Sequence, residues 1–87
     1  MSSLAVEASA RALDVQVTQD ELVVSLTDGR KIAVPLAWFP RLLHASAAQR
    51  NQWELLGEGV GIHWSEIDED LSVAGLLGGI PAHQAAR

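Results

Sequence analysis

Eighty-seven residues, 48% hydrophobic and 20% charged, suffice for one small domain and exclude an enzyme with separate cofactor and substrate lobes. The absence of cysteine rules out disulfide staples, thiolate zinc sites and cysteine nucleophiles. The net charge of −5 is unevenly placed: acids and bases cancel over residues 1–50, whereas residues 51–86 hold Glu54, Glu58, Glu66, Asp68, Glu69 and Asp70 with no Lys or Arg.

Residues 1–12 are rich in Ala and Ser and weakly amphipathic, and are expected to form a flexible tail or loose helix. The opening Met1-Ser2-Ser3-Leu4-Ala5-Val6-Glu7 lacks the basic and apolar regions of a signal peptide. The longest apolar stretch, Ile32 to Phe39, is interrupted by Pro35 and falls far short of the ~20 residues that cross a bilayer. A cytoplasmic protein without a membrane span is expected.

From Leu13 the apolar period becomes two. Leu13, Val15 and Val17 alternate with polar residues, and Leu22, Val24 and Leu26 continue the pattern, which predicts half-buried strands. A four-residue loop at Thr18 to Glu21 would set Val17 opposite Leu22, Val15 opposite Val24 and Leu13 opposite Leu26, all on one face. A three-residue loop, Thr27-Asp28-Gly29, would pair Val24 with Ile32 and Leu22 with Val34 and place Gly29 where such loops want a left-handed residue. A two-residue loop would put Ile32 and Val34 on the wrong face. The expected product is a three-stranded antiparallel meander with one apolar face, ended by Pro35, which has no amide to donate.

That face needs a cover. Trp38-Phe39-Pro40 introduces a short helix with proline in its first turn, and Ser46-Ala47-Ala48-Gln49 has the form of a capping box. A second helical turn is predicted from Ser46 to about Trp53, with Leu42, Leu43, Ala47, the stem of Arg50 and Trp53 available to face the sheet. Leu55-Leu56 and Ile62-His63-Trp64 then predict two short strands around the glycine-rich turn Gly57-Glu58-Gly59-Val60-Gly61. Ser65 to Asp70 make an acidic connector, Ser72 caps a last short helix through Leu77 that stops at Gly78-Gly79, and residues 80–87 are expected to be a flexible tail. The fold class is α+β: a meander covered by short helices, two further short strands and a short C-terminal helix, forming one domain over residues 13–79.

The chemistry-bearing patterns are weak. The glycine run is Gly-x-Gly-x-Gly without a following Lys-Ser/Thr, and its flanks predict strands, so turn formation accounts for it better than phosphate binding. His63, Glu66, Asp68 and Asp70 are ligand types within eight residues, yet neither zincin spacing nor a calcium loop fits them. If Ile62 and Trp64 point inward, His63 points to solvent. No Gly-x-Ser-x-Gly elbow is present, and His63 beside Ser65 is no substitute for a triad. No catalytic residue, metal or cofactor is assigned. A small metal-binding or enzymatic domain using His63 and the nearby carboxylates is the alternative reading.

The three tryptophans are first of all large side chains for a small core. Trp38 at a loop-to-helix junction and Trp64 beside the acidic connector are also candidates for a partner surface, since Trp is enriched at interface hot spots. An acidic surface repels phosphate backbones and attracts basic partners. Direct nucleic-acid binding by this chain alone is therefore not expected; Arg30, Lys31, Arg41 and Arg50 are balanced by acids in the same half. The exposed strand edges of a short meander also allow pairing with a second copy.

Three tracts carry a resemblance: Leu26-Thr27-Asp28-Gly29-Arg30, Trp38-Phe39-Pro40-Arg41-Leu42, and Gly59 through Val73 leading into Gly75-Leu76-Leu77, with Trp64, Asp68-Glu69-Asp70 and Ser72-Val73 in order. They resemble the small bacterial family called domain of unknown function 2442, over about Leu13 to Gly79. The resemblance implies an α+β domain and no established catalytic residues. It further implies a gene arrangement similar to a toxin-antitoxin pair; some members add a helix-turn-helix, for which the eight residues after Gly79 are too few. The expected function is a protein-interaction module, the antitoxin-like or regulatory half of a two-protein pair, that docks a basic protein through Trp64, Glu66, Asp68, Glu69 and Asp70, with Trp38 as a further candidate.

Overall fold

In the computed structural model, which describes residues 10–79, the alternating stretch forms an antiparallel meander of β1 (Ala12–Val17), β2 (Glu21–Leu26) and β3 (Lys31–Pro35). Val17 lies opposite Leu22 and Val15 opposite Val24, while Val24 faces Ile32 and Leu22 faces Val34. Both hairpins thus take the registers that gather the apolar residues on one face. The Leu26 N–H donates to the Arg30 carbonyl at 2.8 Å, closing the three-residue loop in which Gly29 adopts a φ of 96°.

The start of β1 departs from expectation. The register shifts between Ala12 and Asp14, so Ala12 rather than Leu13 lies opposite Leu26. Leu13 is the extra residue of a β-bulge and is 61% exposed, while Ala10 and Ala12 are buried. The Arg11 carbonyl extends the ladder by accepting from the Thr27 N–H at 2.8 Å. Gly59, at a φ of 100°, sits so close to the backbone at this point that a Cβ on it would collide with the Ala12 carbonyl. The ordered core therefore begins before Leu13. Of the tails expected over residues 1–12 and 80–87, residues 1–9 and 80–87 lie outside the described residues.

A 3-10 turn at Leu36–Trp38 leads into α1 (Pro40–Leu43), with Pro40 in its first position, and α2 (Ala47–Arg50). The capping box is complete: the Gln49 N–H donates to Ser46 Oγ at 3.1 Å and the Ser46 N–H to Gln49 Oε1 at 2.9 Å. The second helix stops at Arg50, short of Trp53, and of the two helices only Leu42 is fully buried; Leu43 and Ala47 face solvent. A single helical turn presents about one inward position, so this pair cannot cover the sheet by itself. Arg50 has a larger part than its aliphatic stem. Its Nε donates to the Leu42 carbonyl at 3.0 Å, its Nη2 to the Leu43 carbonyl at 2.8 Å and its Nη1 to the Thr18 carbonyl at 3.4 Å. The guanidinium thereby caps the carbonyl end of α1, adding to the Ala45 N–H that donates to the Leu42 carbonyl at 3.2 Å.

A second sheet supplies the rest of the cover. Its strands β4 (Trp53–Leu56), β5 (Gly61–Trp64) and β6 (Glu69–Ser72) are antiparallel and lie in sequence order. Instead of two strands and a connector there are three strands: Trp53 opens β4, and Glu69 and Asp70 pair with Trp64 and His63. Then α3 (Val73–Gly78) is capped by Ser72, whose Oγ accepts from the Gly75 N–H at 2.9 Å, and ends at Gly79 with a φ of 74°. One buried cluster joins Val15, Leu22, Val24 and Leu26 of the first sheet to Leu36, Phe39 and Leu42 and to Ile62, Trp64, Val73 and Leu76. The fold is α+β, with strands predominating.

Candidate functional site

Cross-strand pairing fixes the two faces of the second sheet. Trp53, Trp64 and Glu69 form one row, and Leu55, Ile62 and Leu71 another on the same side. This side is the core side, since Ile62 and Trp64 are fully buried. Alternation sends Glu54, His63 and Asp70 to the opposite face, beside Leu56 and Ser72. His63 does point away from the core, as its position between Ile62 and Trp64 requires.

Two of the residues expected on a partner surface are not there. Trp64 is 0% exposed, and its indole N–H donates to the Arg50 carbonyl at 3.0 Å, which satisfies its polar edge. Its area belongs to the core. Glu69 shares the inward face and is only 7% exposed. Burial pushes its carboxyl above the usual glutamate range; Arg41 pulls the other way, and the charges of Asp70 and Asp68 add to the upward push. Arg41 Nη1 lies 4.0 Å from Glu69 Oε1 and also donates to the Asp68 carbonyl. It ties α1 to the β5–β6 turn. Trp38 is half-buried against the core and meets Phe39 edge to face at 6.4 Å between ring centroids. It stands in the 3-10 turn, three positions before the tethering Arg41.

The residues left exposed are Glu66 and Asp68 in the β5–β6 turn and Asp70 on the outer face, joined there by Glu54. Asp68 holds a φ of 54°, a left-handed conformation that Asp tolerates better than most side chains. The His63 Nδ1–H donates to Asp70 Oδ1 at 2.5 Å. That bond raises the imidazole above its ordinary value against the opposing effect of desolvation, and the charges of Asp70, Glu54 and Asp68 add to the rise. Glu54 was absent from the surface expected from sequence. It becomes visible once the four residues between Leu56 and Gly61 are taken as the loop, because that register sets Glu54 opposite His63. Among the described residues, no three His, Asp or Glu side chains converge on a common metal position, and no helix is long and apolar enough to cross a membrane.

The arrangement is thus a small antiparallel sheet whose exposed face and adjoining turn carry carboxylates in a row, on a domain of α+β class. The chain belongs to the family described as Protein of unknown function (DUF2442), whose model matches residues 12–82. A crystal structure of a protein of unknown function from Rhodospirillum rubrum is 34% identical, superimposes with a TM-score of 0.75, and the match covers 88% of this chain and 95% of that one. An uncharacterised protein from Chromobacterium violaceum, solved by NMR in solution, is 21% identical with a TM-score of 0.73, over 92% of this chain and 75% of that one; at that identity the likeness concerns the fold. No curated protein matches the chain.

Proposed function

We propose that the protein is a cytoplasmic interaction module that docks a basic protein partner, as the antitoxin-like or regulatory half of a two-protein pair. The docking surface is the outer face of the second sheet with the β5–β6 turn: Glu54, Glu66, Asp68 and Asp70. One observation carries the reading: this face and turn present carboxylates from β4, from β6 and from the β5–β6 connection, and residues 51–86 contain no Lys or Arg to neutralise them. Arg41 reaches the turn, but its guanidinium is engaged with the Asp68 carbonyl and faces Glu69. A field of one sign accelerates encounter with an oppositely charged partner and sets its orientation.

The test is affinity capture of the tagged protein from its native cells at low and high salt, with the co-purifying protein identified by mass spectrometry. The parent chain is expected to retain a basic protein that high salt releases. Glu54→Lys/Glu66→Lys/Asp70→Lys is expected to lose it while keeping the parental circular dichroism. Glu69 is left unchanged, because reversing a buried carboxylate would damage the fold. Equal capture by the reversed variant would assign binding to another surface.

A further inference from the structure

We infer that His63 gates the charge of this docking surface, protonation of its ring cancelling Asp70 and weakening the hold on a cationic side chain. The inference rests on the docking reading above. Its ground is the cross-strand row Glu54–His63–Asp70, in which the imidazole stands between two carboxylates on neighbouring strands. Directly opposed side chains on one face of a sheet have Cβ atoms ~5 Å apart. The charged groups that act on the ring are Glu54 from β4, Asp70 from β6 and Asp68 from the β5–β6 turn. All are acidic.

Consider the row in its two states. With neutral His63 it carries two negative charges and Asp70 has an oxygen free to take a lysine or arginine. With imidazolium the row carries one, and the His63–Asp70 contact at 2.5 Å becomes an ion pair that competes with any incoming cation. The hydrogen bond to Asp70 raises the ring above its ordinary value, which moves the change of charge toward neutral pH. Linkage then requires that a docked cation and the proton oppose each other equally in both directions.

The experiment uses the full chain and a lysine-rich peptide as probe, with binding measured between about pH 5.5 and 8.5, the range over which a histidine changes charge. NMR of the imidazole carbons follows His63 in the same samples. Affinity is expected to rise about two- to five-fold with pH, the size of one exposed charge contact, and the peptide is expected to lower the His63 midpoint. His63→Gln should bind with no pH dependence across this range. Should that variant fail to fold, Asp70→Asn serves instead, and its His63 midpoint should fall. Binding by the parent that is flat with pH, or the same pH dependence in His63→Gln, overturns the gate and leaves the docking surface in place. No binding at any pH overturns both.

Discussion

Arg50 offers the sharpest quantitative test of how this small fold holds together. Replacing Arg50 by Met keeps the unbranched stem and removes the guanidinium that donates to the Leu42 and Leu43 carbonyls at 3.0 and 2.8 Å and to Thr18 at 3.4 Å. A hydrogen bond from a charged donor contributes about 1.5–3 kcal/mol, and less where water competes. The bond to Leu42 is partly buried and is taken at the low end; the bond to Leu43 is exposed and counts for about half of that; the 3.4 Å contact is neglected. The expected loss is about 2 kcal/mol, or about 8–15 °C in Tm for a domain of this length. Urea denaturation followed by circular dichroism measures it. Tryptophan fluorescence provides a second probe, because the Trp64 indole donates to the Arg50 backbone carbonyl and reports on α2. Arg50→Lys keeps the charge but cannot reach two carbonyls with a planar fork, so it should recover less than half of the loss. A loss below about 0.5 kcal/mol, within the range of ordinary surface substitutions, or complete recovery by lysine, would refute the assignment of Arg50 as the cap of α1.

Gly59→Ala adds a Cβ that meets the Ala12 backbone at a φ of 100°, and is expected to cost about 2–4 kcal/mol in urea denaturation; a cost near that of an ordinary turn glycine would mean that β1 can shift away. Glu69→Gln tests the buried carboxylate. The folded-state value of Glu69 is raised, so its stabilising contribution is present below the unfolded glutamate range and is lost as pH rises through the folded value. The amide removes that term, while the 4.0 Å contact with the largely exposed Arg41 contributes little. At neutral pH the variant should be more stable than the parent by about 1 kcal/mol, with a flatter dependence of Tm on pH between mildly acidic and neutral conditions. A less stable variant at neutral pH would show that the Arg41 pairing outweighs the burial of the charge.

The first sheet was legible because its evidence is redundant. Alternation, two turn signals and the requirement that every apolar residue share a face converge on one register, and the pairs Val17–Leu22, Val24–Ile32 and Leu22–Val34 follow from it. The bulge at Leu13 was not legible. Next to it Gly59, dozens of positions away along the chain, presses against the Ala12 backbone, and alternation carries no trace of such a contact. The second sheet shows the complementary limit. The segment Glu-Asp-Leu-Ser of β6 contains one apolar residue and resembles a solvated connector, yet pairing with β5 turns Glu69 inward opposite Trp64. Helix α2 was overextended for a similar reason. The capping box marks where the helix starts, but nothing local marks its stop at Arg50, where the chain is drawn into β4 by pairing of Trp53 with Trp64.

The candidate site was half legible. That the negative charge gathers in the C-terminal part is a matter of counting; which acids share a surface depends on register. Contiguity in sequence places Asp68, Glu69 and Asp70 together, whereas the pleat separates them: Asp70 turns outward to His63, Glu69 turns inward to the core, and Asp68 sits in the turn. Register also brings in Glu54, which is remote from Asp70 along the chain and shares its row through His63. The same parity removes Trp64 from the surface, because a strand that shows His63 to solvent must hide both of its neighbours. An aromatic beside an acidic stretch therefore marks a partner surface only after the pairing of the strand is known. Here the pairing divides the two signals, assigning Trp64 and Glu69 to the core and Glu54 and Asp70, with His63 between them, to the face that remains open.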